Sequence, residues 1–137
     1  MTQAVEYINP PGLPPVQGMY SQLGAIASGA RTYHVAGQLA VADDGSVAGV
    51  GDFAAQFHRV FQNLVGTLEA AGGKPTSIAK MTTYLVHSQD IPTFMKLRAA
   101  LFPKLFPNGV YPPNTLIVID RLVKEDFLLE VEAVAAF

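Results

Sequence analysis

The chain has 137 residues, of which half are apolar and 15% are charged, and its formal net charge is −2. This length and composition fit one globular domain with a sizeable core and exclude a disordered polypeptide. Cysteine is absent, which excludes disulfides, thiolate catalysis and cysteine zinc sites, and the lack of a basic cluster argues against a nucleic-acid partner. We predict a single domain over residues 1–137 that self-associates.

The N-terminal residues lack the basic start and apolar core of a secretion signal. No apolar run approaches the ~20 residues of a membrane span, so we expect a cytoplasmic protein with no membrane partner. Residues 8–18 contain four prolines and two glycines. Because proline disrupts helices, we predict that residues 1–18 form an extended N-terminal arm.

The first half of the chain predicts two strands and a helix. Residues 19–29 and 32–41 are rich in Tyr, Val, Ile and Leu, and the turn at 28–31 suggests a hairpin between them. A second turn is centred on Asp44-Gly45, with a small extra strand near Val47. Apolar residues then recur at helical spacing from Asp52, a suitable N-cap, to Gly72.

The second half predicts three more strands and a second helix. A strand over 77–87 precedes a helix that starts after Asp90, has Pro92 in its first turn and should bend or end at Pro103. Strands over 114–122 and 127–136 complete the order β-β-α-β-α-β-β. This order predicts an α+β domain with two helices on one face of a mixed sheet. We expect the sheets of neighbouring subunits to cover the other face.

Most catalytic and metal-binding motifs are missing from the chain. There is no G-x-S-x-G nucleophile elbow, and residues 49–54 lack the third glycine of a dinucleotide-binding loop. His34, His58 and His87 lie on separate predicted elements without ligand spacing, and Asp43-Asp44 fits a turn better than a calcium loop. We therefore predict no metal and no cofactor.

Two carboxylates in the last predicted strand are the best chemical candidates. Glu130 and Glu132 are two residues apart, so they point to the same face of the sheet. Burying a carboxylate is costly unless it is paired, hydrogen-bonded or hydrated. The pair either lies on an exposed face or forms a salt bridge to Arg121 or Lys124, or one member reaches a ligand pocket and handles a proton or a water.

Five segments carry a resemblance to a known family: Tyr20-Ser21-Gln22, Ala36-Gly37-Gln38, the helix end at 68–73, Arg121-Leu122 and 130–133. Together with the order of the elements, they resemble the reactive intermediate deaminase family, RidA, also called YjgF. The resemblance runs from about Tyr20 to Ala135. It implies a chorismate-mutase-like α+β fold and a homotrimer with inward-packed sheets, with small-molecule clefts between subunits and no cofactor.

The resemblance also implies a reaction, from which this sequence departs at one position. In deaminating members, an arginine at the mouth of the fifth strand binds the carboxylate of a 2-imino acid, and a last-strand glutamate helps water attack the imine carbon. Asn114 occupies the arginine position here. Hydrogen bonds to charged groups contribute ~1.5–3 kcal/mol and neutral ones ~0.5–1.5 kcal/mol, so carboxylate affinity should fall about a hundredfold or more.

Other family positions are partly altered. Ala36 replaces the small hydroxyl residue before Gly37, and Leu116 replaces a small residue, so the cleft is expected to be more apolar. Arg98, where the family often has Asn, is either an ordinary charge on the helix surface or a relocated clamp. The resemblance assigns catalysis to Glu130. It assigns substrate binding to Tyr20, Ala36, Gly37, Arg98, Asn114, Thr115 and Leu116.

The predicted function is hydrolysis of an imine, enamine or similar C=N bond, with weak or no 2-iminobutanoate deaminase activity. The alternative is a non-catalytic trimer that binds a small metabolite in the same clefts. Endoribonuclease activity is disfavoured, because the chain has an acidic balance and no basic stripe.

Overall fold

A computed structural model describes residues 3–137 as six strands and two α-helices. Two single-turn 3₁₀ segments, Pro75–Ser77 and Ser88–Asp90, precede the fourth strand and the second helix. None of the helices in this part of the chain has the length and apolarity needed to cross a membrane. The elements are β1 (Val5–Ile8), β2 (Leu23–Ile26), β3 (Thr32–Gln38), α1 (Phe53–Ala70), β4 (Ile78–Leu85), α2 (Ile91–Leu105), β5 (Asn114–Val118) and β6 (Leu129–Ala136).

The main sheet has four strands in the order β3-β6-β4-β5, antiparallel except for the parallel pair β4–β5. The predicted mixed sheet is thus confirmed. The predicted hairpin between β2 and β3 is wrong, because β2 pairs with β1 in a separate two-stranded sheet. The N-terminal arm therefore contains a strand, held by buried Val5 and by the Tyr7 hydroxyl, which donates to the Ile78 carbonyl at 2.7 Å. The small strand predicted near Val47 is a single bridge to Val41.

Both predicted helices are confirmed. The Asp52 side chain caps α1 by accepting a hydrogen bond from the Ala55 amide at 3.0 Å. The helix ends where Gly72 takes a positive φ of 95°, a conformation that favours glycine. Pro103 lies in the last turn of α2, which ends at Leu105.

Both helices cover one face of the sheet. Alternate residues of β4 and β6 point toward them and are buried, while most residues between are partly exposed. The exceptions, Ala79 and Ala136, are buried in a small cluster with Val5. An aromatic cluster fills the space between the helices and the sheet; its members include Phe57, Phe61, Phe94, Phe102 and Phe106. We call the uncovered side the open face; it carries His34, Lys80, Thr82, Tyr84, Thr115, Glu130 and Glu132.

A buried glutamine ties α1 to the loops around it. Gln56 is fully buried, and its Nε2 donates to the carbonyls of Gly49 at 3.2 Å and Asp126 at 2.8 Å. Its Oε1 accepts a hydrogen bond from the Leu128 amide at 2.9 Å. The bonds to Asp126 and Leu128 fix the loop that leads into β6, the strand that carries Glu130.

Candidate functional site

Glu130 lies on the open face, where it packs against a glycine. Its partner across the β4–β6 ladder is Tyr84. The β3–β6 register shifts between Val35 and Gln38, and this bulge brings Gly37 against the Glu130 carboxyl group. A Cβ on Gly37 would overlap Glu130 Oε1 and lie 2.7 Å from its Cδ, so only glycine leaves room for the carboxylate. The exposed Ala36 precedes Gly37 in the same bulge.

The Glu130 carboxyl group is left available for a ligand. Within residues 3–137 it forms no salt bridge and accepts no hydrogen bond, and burial together with the neighbouring Glu132 raises its pKa. Glu132 instead accepts a hydrogen bond from the Tyr84 hydroxyl at 2.5 Å, and this bond raises the pKa of Tyr84. The predicted salt bridge from Arg121 is wrong, because Arg121 pairs with Glu125 at 2.8 Å. Lys124 does not pair with either glutamate.

Asn114 lies on the helix-covered side of the sheet. It is in register with Met81, and its Oδ1 accepts a hydrogen bond at 2.9 Å from the hydroxyl of Thr83, which is 1% exposed. Leu116, two residues further along β5, points to the same side and packs against the core. The amide oxygen of Asn114 is thus occupied, and its NH₂ group remains as a donor.

Thr115 points the opposite way from Asn114. Its Oγ1 accepts a hydrogen bond from Lys80 Nζ at 2.7 Å on the open face. Lys80 and Tyr84 are neighbours of the predicted site residues, although no motif in the sequence marks them. The alternation of polar residues in β4, at Lys80, Thr82 and Tyr84, is the signal that marks them as open-face residues.

Arg98 is buried, so its interpretation as an ordinary charge on the helix surface is wrong. The residue is 5% exposed, and its guanidinium carbon lies 5.6 Å and 5.9 Å from the ring centroids of Phe94 and Phe102. A Cβ at Gly18 would lie 2.8 Å from Arg98 Nη2 and 3.9 Å from Tyr20 Cδ1, so the tyrosine is a close neighbour. Burial lowers the pKa of Arg98, and the charge interaction with Tyr20 partly offsets this.

The predicted site residues therefore form two groups on opposite sides of the sheet. The helix-side group contains Tyr20 and Arg98 beside each other, with Asn114 and Leu116 on β5. The open-face group contains Glu130 with Ala36 and Gly37, and Thr115 lies further along the same face. Because the sheet separates the groups, one chain does not bring them together around a small ligand.

The remaining candidates lie apart from one another. Across residues 3–137, no group of three or more His, Asp or Glu side chains is arranged to hold a metal ion. His34 lies on the open face, and His58 and His87 are exposed at separate places. Asp44 accepts hydrogen bonds from Ser46, which lower the pKa of Asp44, in the turn that the sequence predicted.

This combination of a mixed four-stranded sheet, two covering helices and a last-strand glutamate at a glycine bulge is that of a Rid-type domain. Residues 13–137 match the endoribonuclease L-PSP family, and the chain belongs to this family, which includes RidA/YjgF. A RutC family protein of Pyrococcus abyssi is 33% identical over 118 residues, 86% of each chain.

Solved structures of Rid proteins share this fold. YyfB of Yersinia pestis, described as a conserved Rid family protein of unknown function, is 31% identical with a TM-score of 0.85, over 98% of this chain and 99% of that one. TdcF of E. coli, solved with bound serine, is 26% identical with a TM-score of 0.69, over 96% and 98%. The predicted RidA-like fold is thus confirmed.

Proposed function

We propose that the protein is a RidA-type hydrolase of C=N bonds that acts in clefts between the subunits of a homotrimer. The observation that supports this most is the unpaired Glu130 carboxyl group held against Gly37. In the proposed reaction, water adds to the imine carbon, the C–N bond breaks, and the products are a carbonyl compound and ammonia. The proposal involves no metal and no organic cofactor.

Glu130 is suited to move the protons that this reaction requires. In its ionised form it accepts a proton from the attacking water and delivers it to the imine nitrogen, which gives a carbinolamine. It then carries the remaining hydroxyl proton to the amine nitrogen, so that the C–N bond breaks, ammonia leaves and the carbonyl forms. A general acid–base works best when its pKa lies near the operating pH, and burial raises the pKa of Glu130 in that direction. An exposed carboxyl group of ordinary acidity would be a weaker proton donor at neutral pH.

The separation of the two residue groups favours a cleft shared between subunits. A substrate of a few atoms cannot reach both Glu130 and Tyr20 through the sheet of one chain. In a ring of three copies, each chain presents its helix-side group to one neighbour and its open-face group to the other, so every interface completes a cleft. The same assembly would cover the open faces that a single chain leaves uncovered.

The proposed substrate is a small imine or enamine other than 2-iminobutanoate. The bound serine of TdcF supports a ligand of amino-acid size. The neutral amide of Asn114 should bind a carboxylate at this position about a hundredfold more weakly than a guanidinium. Endoribonuclease activity, after which the family is named, is not proposed because the chain has no basic cluster.

Imine hydrolysis is the direct test of this function. An amino-acid oxidase generates imines in situ from a panel of amino acids. The protein should accelerate ammonia release from some of these imines, and 2-iminobutanoate should be among its poorest substrates. Asn114→Arg should raise the rate on 2-iminobutanoate, and Glu130→Gln should lower every rate by roughly 10²–10⁴-fold. If the wild-type protein accelerates the hydrolysis of no imine, and if Glu130→Gln does not change ligand binding, the protein is the non-catalytic metabolite-binding trimer instead.

Subunit mixing tests the shared cleft. Glu130→Gln and Tyr20→Ala each impair one group, so each variant alone should be inactive while remaining trimeric. After the two are unfolded together and refolded at equal amounts, three-quarters of the trimers are mixed and each mixed trimer has one intact cleft in three. The mixture should recover roughly a quarter of the wild-type rate. If mixed trimers form but remain inactive, the cleft is not shared between subunits.

A further inference from the structure

Arg98 is a buried cation that is not paired with an anion among residues 3–137. The residue is 5% exposed, and its Nε is buried without a hydrogen-bond acceptor. Its Nη2 donates only to the Met95 sulfur at 3.0 Å, a weak acceptor. Between residues 3 and 137, the salt bridges are Arg59–Asp43 and Arg121–Glu125, so no carboxylate of this chain pairs with Arg98.

An arrangement of this kind is unfavourable unless an anion arrives from elsewhere. Removing an ionised group from water costs several kcal/mol, and only an opposite charge with good hydrogen bonds offsets this cost. The Phe94 and Phe102 rings give the guanidinium weak cation–π contacts but no acceptor. The buried Nε is out of reach of an outside acceptor, whereas Nη1 is not among the buried atoms and forms no hydrogen bond within residues 3–137. Nη1 is therefore the donor that an acceptor from outside the chain would use.

The surroundings of Arg98 are shaped for such an acceptor. The arm passes directly beside the guanidinium at Gly18, where a Cβ would lie 2.8 Å from Nη2. The Tyr20 backbone amide donates to the Gly18 carbonyl at 3.0 Å, and the Tyr20 hydroxyl accepts from the Gln17 amide at 3.1 Å. These two bonds hold the Tyr20 ring next to Arg98. An aromatic wall, a phenol and a guanidinium with free donors thus lie together on the helix side.

We infer that Arg98 binds the carboxylate of the substrate and takes over the role left vacant at Asn114. This inference rests on the proposed function and names the substrate class, a C=N compound that carries a carboxylate. Because Arg98 projects from α2 and not from the mouth of β5, the carboxylate is held at a different place. In 2-iminobutanoate a single bond joins the carboxylate to the C=N carbon. The preferred substrate therefore has a different separation between these two groups.

Carboxylate binding by the intact protein tests this inference. The probes are 2-oxobutanoate, 4-oxopentanoate and 5-oxohexanoate, which place a ketone at increasing distance from the carboxylate, with 2-pentanone as the neutral comparison. At least one keto acid should raise the melting temperature of the wild type, and 2-pentanone should not. Arg98→Met should weaken keto-acid binding roughly 10–100-fold without lowering the melting temperature of the free protein, because it removes an unpaired buried charge. Arg98→Lys should bind with intermediate affinity.

Arg31 provides a matched control for the Arg98 variants. Arg31 also lies over an aromatic ring, 5.4 Å from the Tyr33 centroid, but it is exposed, so Arg31→Met should leave keto-acid binding unchanged. Equal keto-acid affinity in wild type and Arg98→Met would overturn the inference. The inference would also be overturned if no keto acid stabilised the wild type and the Arg98→Met trimer dissociated. In that case the anion would be a carboxylate of the partner subunit. Neither outcome alters the loss of turnover in Glu130→Gln, which tests the proposed function separately.

Discussion

Gly37→Ala is the sharpest test of the Glu130 site, because it changes the position of the carboxylate without removing any functional group. The added Cβ would overlap Glu130 Oε1 and lie 2.7 Å from Cδ, with Cγ the next atom at 3.0 Å. Gly37 does not have a positive φ, so the backbone accepts alanine. The whole conflict is with one flexible side chain, which can rotate away. The substitution should therefore displace the carboxylate and leave the strand intact.

The expected losses are small in stability and large in rate. Overpacking costs about 1–3 kcal/mol in rigid cores, and rotation of Glu130 should keep the cost near 1 kcal/mol, or roughly 4 °C in melting temperature. Displacement of a general acid–base should reduce the rate by about a hundredfold. Gly66 is the matched control, since a Cβ at this position in α1 meets no atom within 4 Å. Gly66→Ala should keep the full rate and add about 0.5–1 kcal/mol of stability.

Ammonia release on the best imine of the panel and denaturant unfolding of the same preparations supply both measurements. The double variant Gly37→Ala/Glu130→Ala should be less destabilised than the sum of the two single changes, because the conflict disappears with the side chain. If Gly37→Ala hydrolyses imines at the wild-type rate, the seating of Glu130 against the bulge has no role in catalysis. If the losses in the free energy of unfolding are additive, the two residues do not contact each other.

Two further predictions concern stability. Because burial and Glu132 raise the pKa of Glu130 in the folded state, the stabilisation from its proton is present at low pH and is lost as pH rises through that pKa. Glu130→Gln should thus melt higher than wild type at pH 7, with a difference that vanishes near pH ~4, the unfolded-state value; an equal gap at both pH values would contradict this. Gln56→Leu removes three partly buried hydrogen bonds to loop backbone and should lower the free energy of unfolding in urea by roughly 3 kcal/mol, whereas the change at the exposed residue, Gln62→Leu, should stay within about 0.5 kcal/mol.

The elements that could be predicted from the sequence are those with strong local signals. Helix α1 combines an apolar stripe with an Asp52 cap and a Gly72 stop, and β6 alternates buried and partly exposed residues from Leu129 to Ala135. The partner of β2 could not be predicted in this way. Its pairing with β1 depends on contacts between distant residues, such as the Tyr7 hydroxyl with the Ile78 carbonyl. The four-residue strand β1 lies next to a proline-rich segment, for which the sequence predicts an extended arm.

The site was predictable in its residues but not in their arrangement. The two-residue spacing of Glu130 and Glu132 correctly placed both on one face. The same alternation in β5 separates Asn114 from Thr115, which the family resemblance had grouped together. The helical spacing of Arg98, four residues from both Phe94 and Phe102, was a signal that it belongs to the buried stripe. A periodic pattern cannot show whether a buried cation has found an anion.

The two residue groups differ in charge, and this difference would fix the orientation of a substrate in a shared cleft. The helix side carries the guanidinium of Arg98, and the open face carries the carboxyl group of Glu130. A carboxylate placed toward Glu130 would meet a like charge, whereas placed toward Arg98 it would complete a charge-assisted pair. The C=N carbon would then face Glu130 and its water. Assembly would thus bring the catalytic group of one chain next to the carboxylate-binding group of another, and this pairing would set the orientation of the substrate. An isolated chain would have neither a complete site nor a preferred substrate orientation.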